Sequence, residues 1–139
     1  MPRTLFADTF YWIALIDPRD AFHATVHACS GALGSACIVT TDEVFDEVLT
    51  FFAGTGPFWR GKTVTSIRGL RSDPQVDVFP QTRADFDAAL ALYESRPDKS
   101  YSLTDCRSML AARDHVITEV LTNDHHFTQE GFAILFPTP

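Results

Sequence analysis

Short apolar runs alternate with longer stretches of helical periodicity along the chain. The first run is Thr4-Leu5-Phe6-Ala7, and it ends on a carboxylate, Asp8. Further runs of strand length lie at residues 36–39, 76–79, 116–121 and 132–136. Runs this short, bounded by turn residues and rich in β-branched and aromatic side chains, predict buried strands. Between them, apolar residues recur three and four apart, which predicts helices with one face turned inward. Strands that alternate with helices build a parallel sheet covered on both faces. The expectation is an α/β fold, with a central, mostly parallel sheet of four to five strands flanked by helices on both faces. No repeat, linker or low-complexity tract interrupts the pattern, so one domain is expected over residues 1–139.

The punctuation of the helices is legible. Thr9 is placed to cap an apolar helix over 9–16, which Asp17-Pro18 ends because a residue before proline is pushed out of the helical region. A second helix is expected over 21–33 with Phe22, Val26 and Leu33 inward, stopped by Gly34. Thr40 and Glu43 have the spacing of a capping box for a third, which runs to residue 52 or 53 with Val44, Phe45, Val48, Leu49, Phe51 and Phe52 as its apolar stripe. Gly54 to Pro57 breaks it, and a more basic helix over 57–71 follows. Thr82 with Asp85 opens a helix to residue 95 through Phe86, Leu90 and Tyr93. Ser102 with Asp105 opens another to about residue 115. A short helical turn is expected over 125–129.

Composition narrows the class. A chain of 139 residues with 45% hydrophobic and 21% charged residues suits a soluble globular domain. No apolar run approaches the roughly 20 residues needed to span a bilayer, so no membrane role is expected. Met1-Pro2-Arg3 lacks the start of a signal peptide, and Cys29, Cys37 and Cys106 are odd in number without C-x-x-C spacing. Both point to a reduced, cytoplasmic protein. The net charge of −7 disfavours a nucleic-acid partner only if the acids are scattered, because cations bound by clustered acids reverse the local sign.

Four acids are candidates for such a cluster. In open α/β sheets, ligands bind beyond the carboxyl ends of the strands, near the point where strand order reverses. Asp8 and Asp124 both follow apolar runs and so belong to that edge. Asp105 falls in the first turn of a helix beginning near the same edge, where the helix dipole favours a carboxylate. Glu47 lies one turn after Glu43 at the margin of an apolar stripe, which aims it coreward. Taken singly, Asp105 reads as a capping acid, Asp8 as the start of a turn, and Glu43 as the capping acid that leaves Glu47 for chemistry. Taken together, converging carboxylates call for a hard divalent cation, Mg2+ or Mn2+, which orients water for attack on phosphorus.

These residues sit in segments that resemble the PIN domains, and among them the VapC-like toxins of type II toxin–antitoxin pairs. The resembling stretches are Asp8-Thr9-Phe10-Tyr11-Trp12-Ile13-Ala14-Leu15, Thr40-Thr41 through Asp46-Glu47-Val48-Leu49, Asp98-Lys99-Ser100-Tyr101-Ser102-Leu103-Thr104-Asp105-Cys106, and Thr122-Asn123-Asp124-His125-His126-Phe127. The resemblance implies a PIN-like fold and a metal-dependent endoribonuclease, with Asp8, Glu47, Asp105 and Asp124 as its acidic quartet. It implies Asp8 and Asp105 as principal metal ligands, with Glu47 and Asp124 acting directly or through water. Asp98 matches an additional acid of some members. Thr9 and Thr122 match hydroxyl positions that orient a ligand or phosphate. An RNA substrate, a cognate antitoxin and a homodimer are the implied partners.

Other residues offer weaker signals. Arg107, in the same turn as Asp105, suits a phosphate contact or the neutralisation of a nearby acid. His125 and His126 read as solvated loop histidines beside Asp124, although either could touch substrate or metal. His23 and His27 have zinc-compatible spacing without a third ligand, as expected of a surface pair. Arg60, Lys62, Arg68 and Arg71, beside Phe58 and Trp59, suit either RNA or a solvated helix face. Two other classes stand against the nuclease. A phosphatase or receiver-like domain is disfavoured by Phe10, where a second Asp would be needed, and by the lack of a well-placed Lys after a late strand. The other is a PIN-like module that binds RNA or protein without cutting.

Overall fold

Leu5, Phe6 and Ala7 are fully buried, so the first apolar run lies inside the protein with no face left for water. The computed structural model describes residues 2–138; Met1 and Pro139, the ends of the predicted domain, lie outside the described residues. The strands are β1 (Thr4–Ala7), β2 (Cys37–Thr41), β3 (Val76–Phe79), β4 (Glu119–Leu121) and β5 (Ala133–Ile134). They form one sheet in the order β3-β2-β1-β4-β5. Every pairing is parallel. The helices are α1 (Thr9–Ile16), α2 (His23–Ala32), α3 (Asp42–Phe52), α4 (Pro57–Ser72), α5 (Arg83–Ser95), α6 (Leu103–Asp114) and α7 (His126–Gln129). This is the predicted α/β architecture, with helices on both faces of a five-stranded parallel sheet.

Strand order explains where a site can form. From β1 the chain steps outward through β2 to β3, then crosses back to add β4 and β5 on the other side of β1. The reversal falls between β1 and β4, whose ends are in register with Ala7 opposite Leu121. Arg3 clamps the opposite end of this pair, with Nε and Nη2 donating to Glu119 at 2.9 and 2.8 Å.

Several expectations are corrected. The fourth strand is shorter than residues 116–121, because Val116 adopts a left-handed φ of 56° and is 87% exposed. The chain needs that turn to leave α6 and enter the sheet. The cap of α3 is Thr41, whose hydroxyl accepts from the Val44 N–H at 3.1 Å. Thr40 instead donates to the Ala7 carbonyl at 2.9 Å and accepts from Trp12 Nε1 at 3.1 Å. Along α5 the buried residues are Ala89 and Leu92, while Phe86, Leu90 and Tyr93 are exposed. Likewise Leu49 and Phe51 of α3 face outward.

Candidate metal centre

Asp8 leaves β1 at the reversal point, with its N–H donating to the Leu121 carbonyl at 3.3 Å. It takes the N-cap position of α1 that was expected of Thr9. Its side chain is buried, and the Thr122 hydroxyl donates to Oδ2 at 2.9 Å. Burial pushes the Asp8 carboxyl up to about 7, and the charges of Asp105 and Glu47 push the same way. Hydrogen bonds from Thr9 and Thr122 oppose the rise without cancelling it. A carboxylate this dry needs a cation to stay ionised at neutral pH.

Thr9, freed from capping, donates its hydroxyl to Glu47 Oε1 at 2.5 Å. Glu47 stands in the second turn of α3, after β2. Its carboxyl is raised by burial and then by the charges of Asp105 and Asp124, against the Thr9 hydrogen bond. Asp105 arrives from another direction. Helix α6 precedes β4 and runs antiparallel to the sheet, so its first turn lies at the carboxyl edge. Asp105 there closes a capping box: its N–H donates to Ser102 Oγ and its Oδ2 accepts from the Ser102 N–H, both at 3.0 Å. Burial raises its carboxyl, and Asp124 adds to the rise. Capping acid and site acid, weighed as alternatives from sequence, are the same residue.

Asp124 is set by the short loop after β4. Its N–H donates to Thr122 Oγ1 at 3.1 Å, and its Oδ1 accepts from the His126 N–H at 2.9 Å. Thr122 therefore orients two acids with one hydroxyl. The four acids are thus close enough to perturb one another, each coupled to at least one other. Among the described residues, no Lys or Arg forms an ion pair with any of them. Asp105, Asp124 and His126 each offer a ligand atom, all within 4.8 Å of one another. Oxygen donors gathered without a counter-cation suit a divalent ion, and the donor set fits one.

Other candidates lie elsewhere. Asp98 is exposed and faces Lys99 at 3.6 Å. Arg107 is buried and engaged by acids: Nε donates to Glu43 at 2.8 Å, and Nη2 lies 3.3 Å from Asp85 and 3.4 Å from the Pro80 carbonyl. Neutralisation of nearby acids is therefore its visible role. Glu43, expected as a capping acid, is its partner. Lys62 and Arg19 lie over the Trp59 ring at 5.2 and 4.1 Å. His23 and His27 face each other at 5.7 Å. His126 is half-buried against the acids and not a solvated loop residue; its position two after Asp124 was the available signal. A cleft of about 550 Å³ opens beside Thr9 and Glu47, walled by Phe51, Phe86 and Leu103.

Among solved structures, VapC20 of Mycobacterium tuberculosis, a Sarcin-Ricin loop cleaving toxin, matches with a TM-score of 0.82. The two are 22% identical over 97% of this chain and 99% of that one. FitAcB from Neisseria gonorrhoeae matches with a TM-score of 0.66 and 16% identity, over 94% of this chain and 96% of that one. No protein-family model and no curated protein matches the sequence. The likeness establishes the fold, which is that of a PIN-like domain.

Proposed function

We propose that this chain is a Mg2+- or Mn2+-dependent endoribonuclease that hydrolyses RNA phosphodiester bonds as the toxin of a toxin–antitoxin pair. One observation carries this function: Asp8, Glu47, Asp105 and Asp124 gather at the strand-order reversal, and among the described residues no Lys or Arg pairs with them. The fold shared with a Sarcin-Ricin loop cleaving toxin supports the same assignment.

Asp8 and Asp105 would hold the cation as its principal ligands, with Glu47 and Asp124 acting directly or through water. Once bound, the cation would supply neutralisation of the site and a lowered pKa for a water aimed at the phosphate. The protein's own part is positional. Thr122 holds the Asp8 carboxylate and the Asp124 backbone N–H, Thr9 holds the Glu47 carboxylate, and the Ser102 cap holds one oxygen of Asp105. Burial raises the carboxyls of Asp8, Glu47 and Asp105, so without a cation they hold protons more readily, and a cation that keeps them ionised is bound strongly in this dry setting. Arg107 is engaged by Glu43 and Asp85, and Asp98 is paired with Lys99, so neither is assigned a ligand's role in this mechanism. Exposed Leu49, Phe51, Phe58 and Val64 on α3 and α4 supply apolar surface for a homodimer or antitoxin.

The test is cleavage of a structured RNA by purified protein with Mn2+ present. Wild type is expected to cut and Asp8→Asn to lose nearly all activity. No cleavage by wild type, or unchanged cleavage by Asp8→Asn, overturns the assignment.

A further inference from the structure

Resting on that reading of the acidic centre, we propose that His126 supplies an imidazole nitrogen to the metal shell and biases the site towards manganese over magnesium. Carboxylates alone make a shell suited to hard cations. A nitrogen donor shifts preference along the first-row series, because Mg2+ keeps to oxygen while Mn2+ tolerates imidazole.

Three observations place the nitrogen there. His126 Nδ1 is buried and has no hydrogen-bond partner. A buried ring nitrogen without a partner is uncommon and calls for an explanation. It nevertheless lies 3.1 Å from Asp124 Oδ1, in a contact that lacks hydrogen-bond alignment. That oxygen already accepts from the His126 backbone N–H at 2.9 Å. Two adjacent ligands of one octahedral ion, each about 2.1 Å from it, stand roughly 3 Å apart. The 3.1 Å spacing is therefore that of neighbouring ligands, and Asp105 offers the third atom of the group.

The ring is also held for the task. The Tyr101 ring meets it edge-on, with centroids 5.5 Å apart. The Tyr101 hydroxyl donates to Glu130 at 3.0 Å, and Glu130 is gripped by Arg96 Nε and Nη2 at 3.2 and 3.1 Å. A loop histidine in solvent needs no such support. His125, exposed one residue earlier, has its ring 4.6 Å from that of His126, and its replacement serves as the internal control for losing a neighbouring imidazole.

The experiment is Mn2+ electron paramagnetic resonance on the full chain. Free Mn2+ is counted during titration, and pulsed spectra of the bound ion report coordinated imidazole through 14N modulation. Wild type and His125→Asn are expected to show the modulation, and His126→Asn to lose it while still binding Mn2+. The ratio of Mn2+ to Mg2+ affinity, read by competition, should fall by about tenfold or more in His126→Asn. Bound Mn2+ without 14N modulation in wild type, or modulation unchanged in His126→Asn, overturns the role of His126 and leaves the nuclease assignment standing. Failure of wild type to bind Mn2+ at all overturns both. The wild-type spectrum decides the matter even if His126→Asn does not fold.

Discussion

The Thr122 hydroxyl donates to Asp8 Oδ2 at 2.9 Å while its oxygen accepts the Asp124 N–H at 3.1 Å. One buried side chain thereby couples the strand ends on either side of the sheet's reversal point. Thr122→Val keeps the shape and removes both bonds. An unsatisfied buried polar group costs about 1–3 kcal/mol, so urea denaturation should show a loss of that size, and Thr122→Ser should restore most of it. Metal affinity should weaken in the valine variant. Equal stability of the valine and wild-type proteins would show that the hydroxyl bonds are not needed.

A second prediction concerns pH in the metal-free protein. Folding carries the Asp8 carboxyl up to about 7, from about 3.9 in an unfolded chain. Between those values the folded state holds a proton that the unfolded state has released. Stability must therefore fall as pH rises from about 4 to about 7, by at most about 1.4 kcal/mol per unit for this one group, and level off above. Glu47 and Asp105 are also raised and act with the same sign. The lowered carboxyls of Asp17, Glu119 and Glu130 act at the acid end and are common to wild type and variant. Asp8→Asn should thus gain stability over wild type as pH rises, in denaturation series with chelator present. Saturating Mn2+ should flatten the wild-type slope. Parallel curves for the two proteins would refute a raised Asp8.

Asp105 has two duties that substitution can separate. Its Oδ2 closes the capping box with Ser102, and its charge belongs to the acidic centre. Asparagine keeps an oxygen for the cap, whereas alanine keeps neither function. Loss of a cap costs about 1 kcal/mol. Both variants should be inactive on RNA, yet only Asp105→Ala should melt markedly earlier. An Asp105→Asn protein that still cleaves would remove this residue from the centre.

What could be read from sequence follows from how local each cause is. Thr4–Ala7 and Val76–Phe79 were legible because a short run of apolar or β-branched residues, interrupted only by Asp77 in the second, is ended by a turn signal. The Thr82 cap on Asp85 was legible for the same reason. The strand expected from Val116 failed on geometry that only the assembled sheet imposes. The faces of α3 and α5 were read too generously, since a stripe wide enough to be buried is buried only where a neighbour covers it. Convergence of Asp8, Glu47, Asp105 and Asp124 was inferable from strand ends and helix starts in a parallel sheet. For Arg107 and His126 the alternatives were legible but the choice between them was not, because it depends on partners far off in the chain or on a side-chain packing contact.

Val116 itself offers a stability test. A β-branched residue at φ 56° is strained, and this one is almost fully exposed, so little packing offsets the cost. Asparagine tolerates the left-handed region. Val116→Asn should stabilise the protein by about 1 kcal/mol and raise its melting temperature by a few degrees, without changing RNA cleavage. A lower melting temperature would mean that the valine packs against something the fold requires.

Arg107 provides the sharpest contrast between a structural and a substrate-binding arginine. Its guanidinium is buried, donates to Glu43 at 2.8 Å and lies 3.3 Å from Asp85. Removing one partner of a buried pair strands the other, at a cost of about 3–5 kcal/mol, whereas removing both is far milder. Arg107→Met alone should therefore be severely destabilised, and Glu43→Gln added to it should recover a large part of the loss. A phosphate contact would behave in the opposite way, with near-normal stability, a raised KM for RNA, and no rescue from Glu43→Gln. Denaturation midpoints of the two single variants and the double variant, completed by wild type as a thermodynamic cycle, distinguish these outcomes. Coupling between positions 43 and 107 near zero would remove the clamp and return Arg107 to the list of residues that meet the substrate.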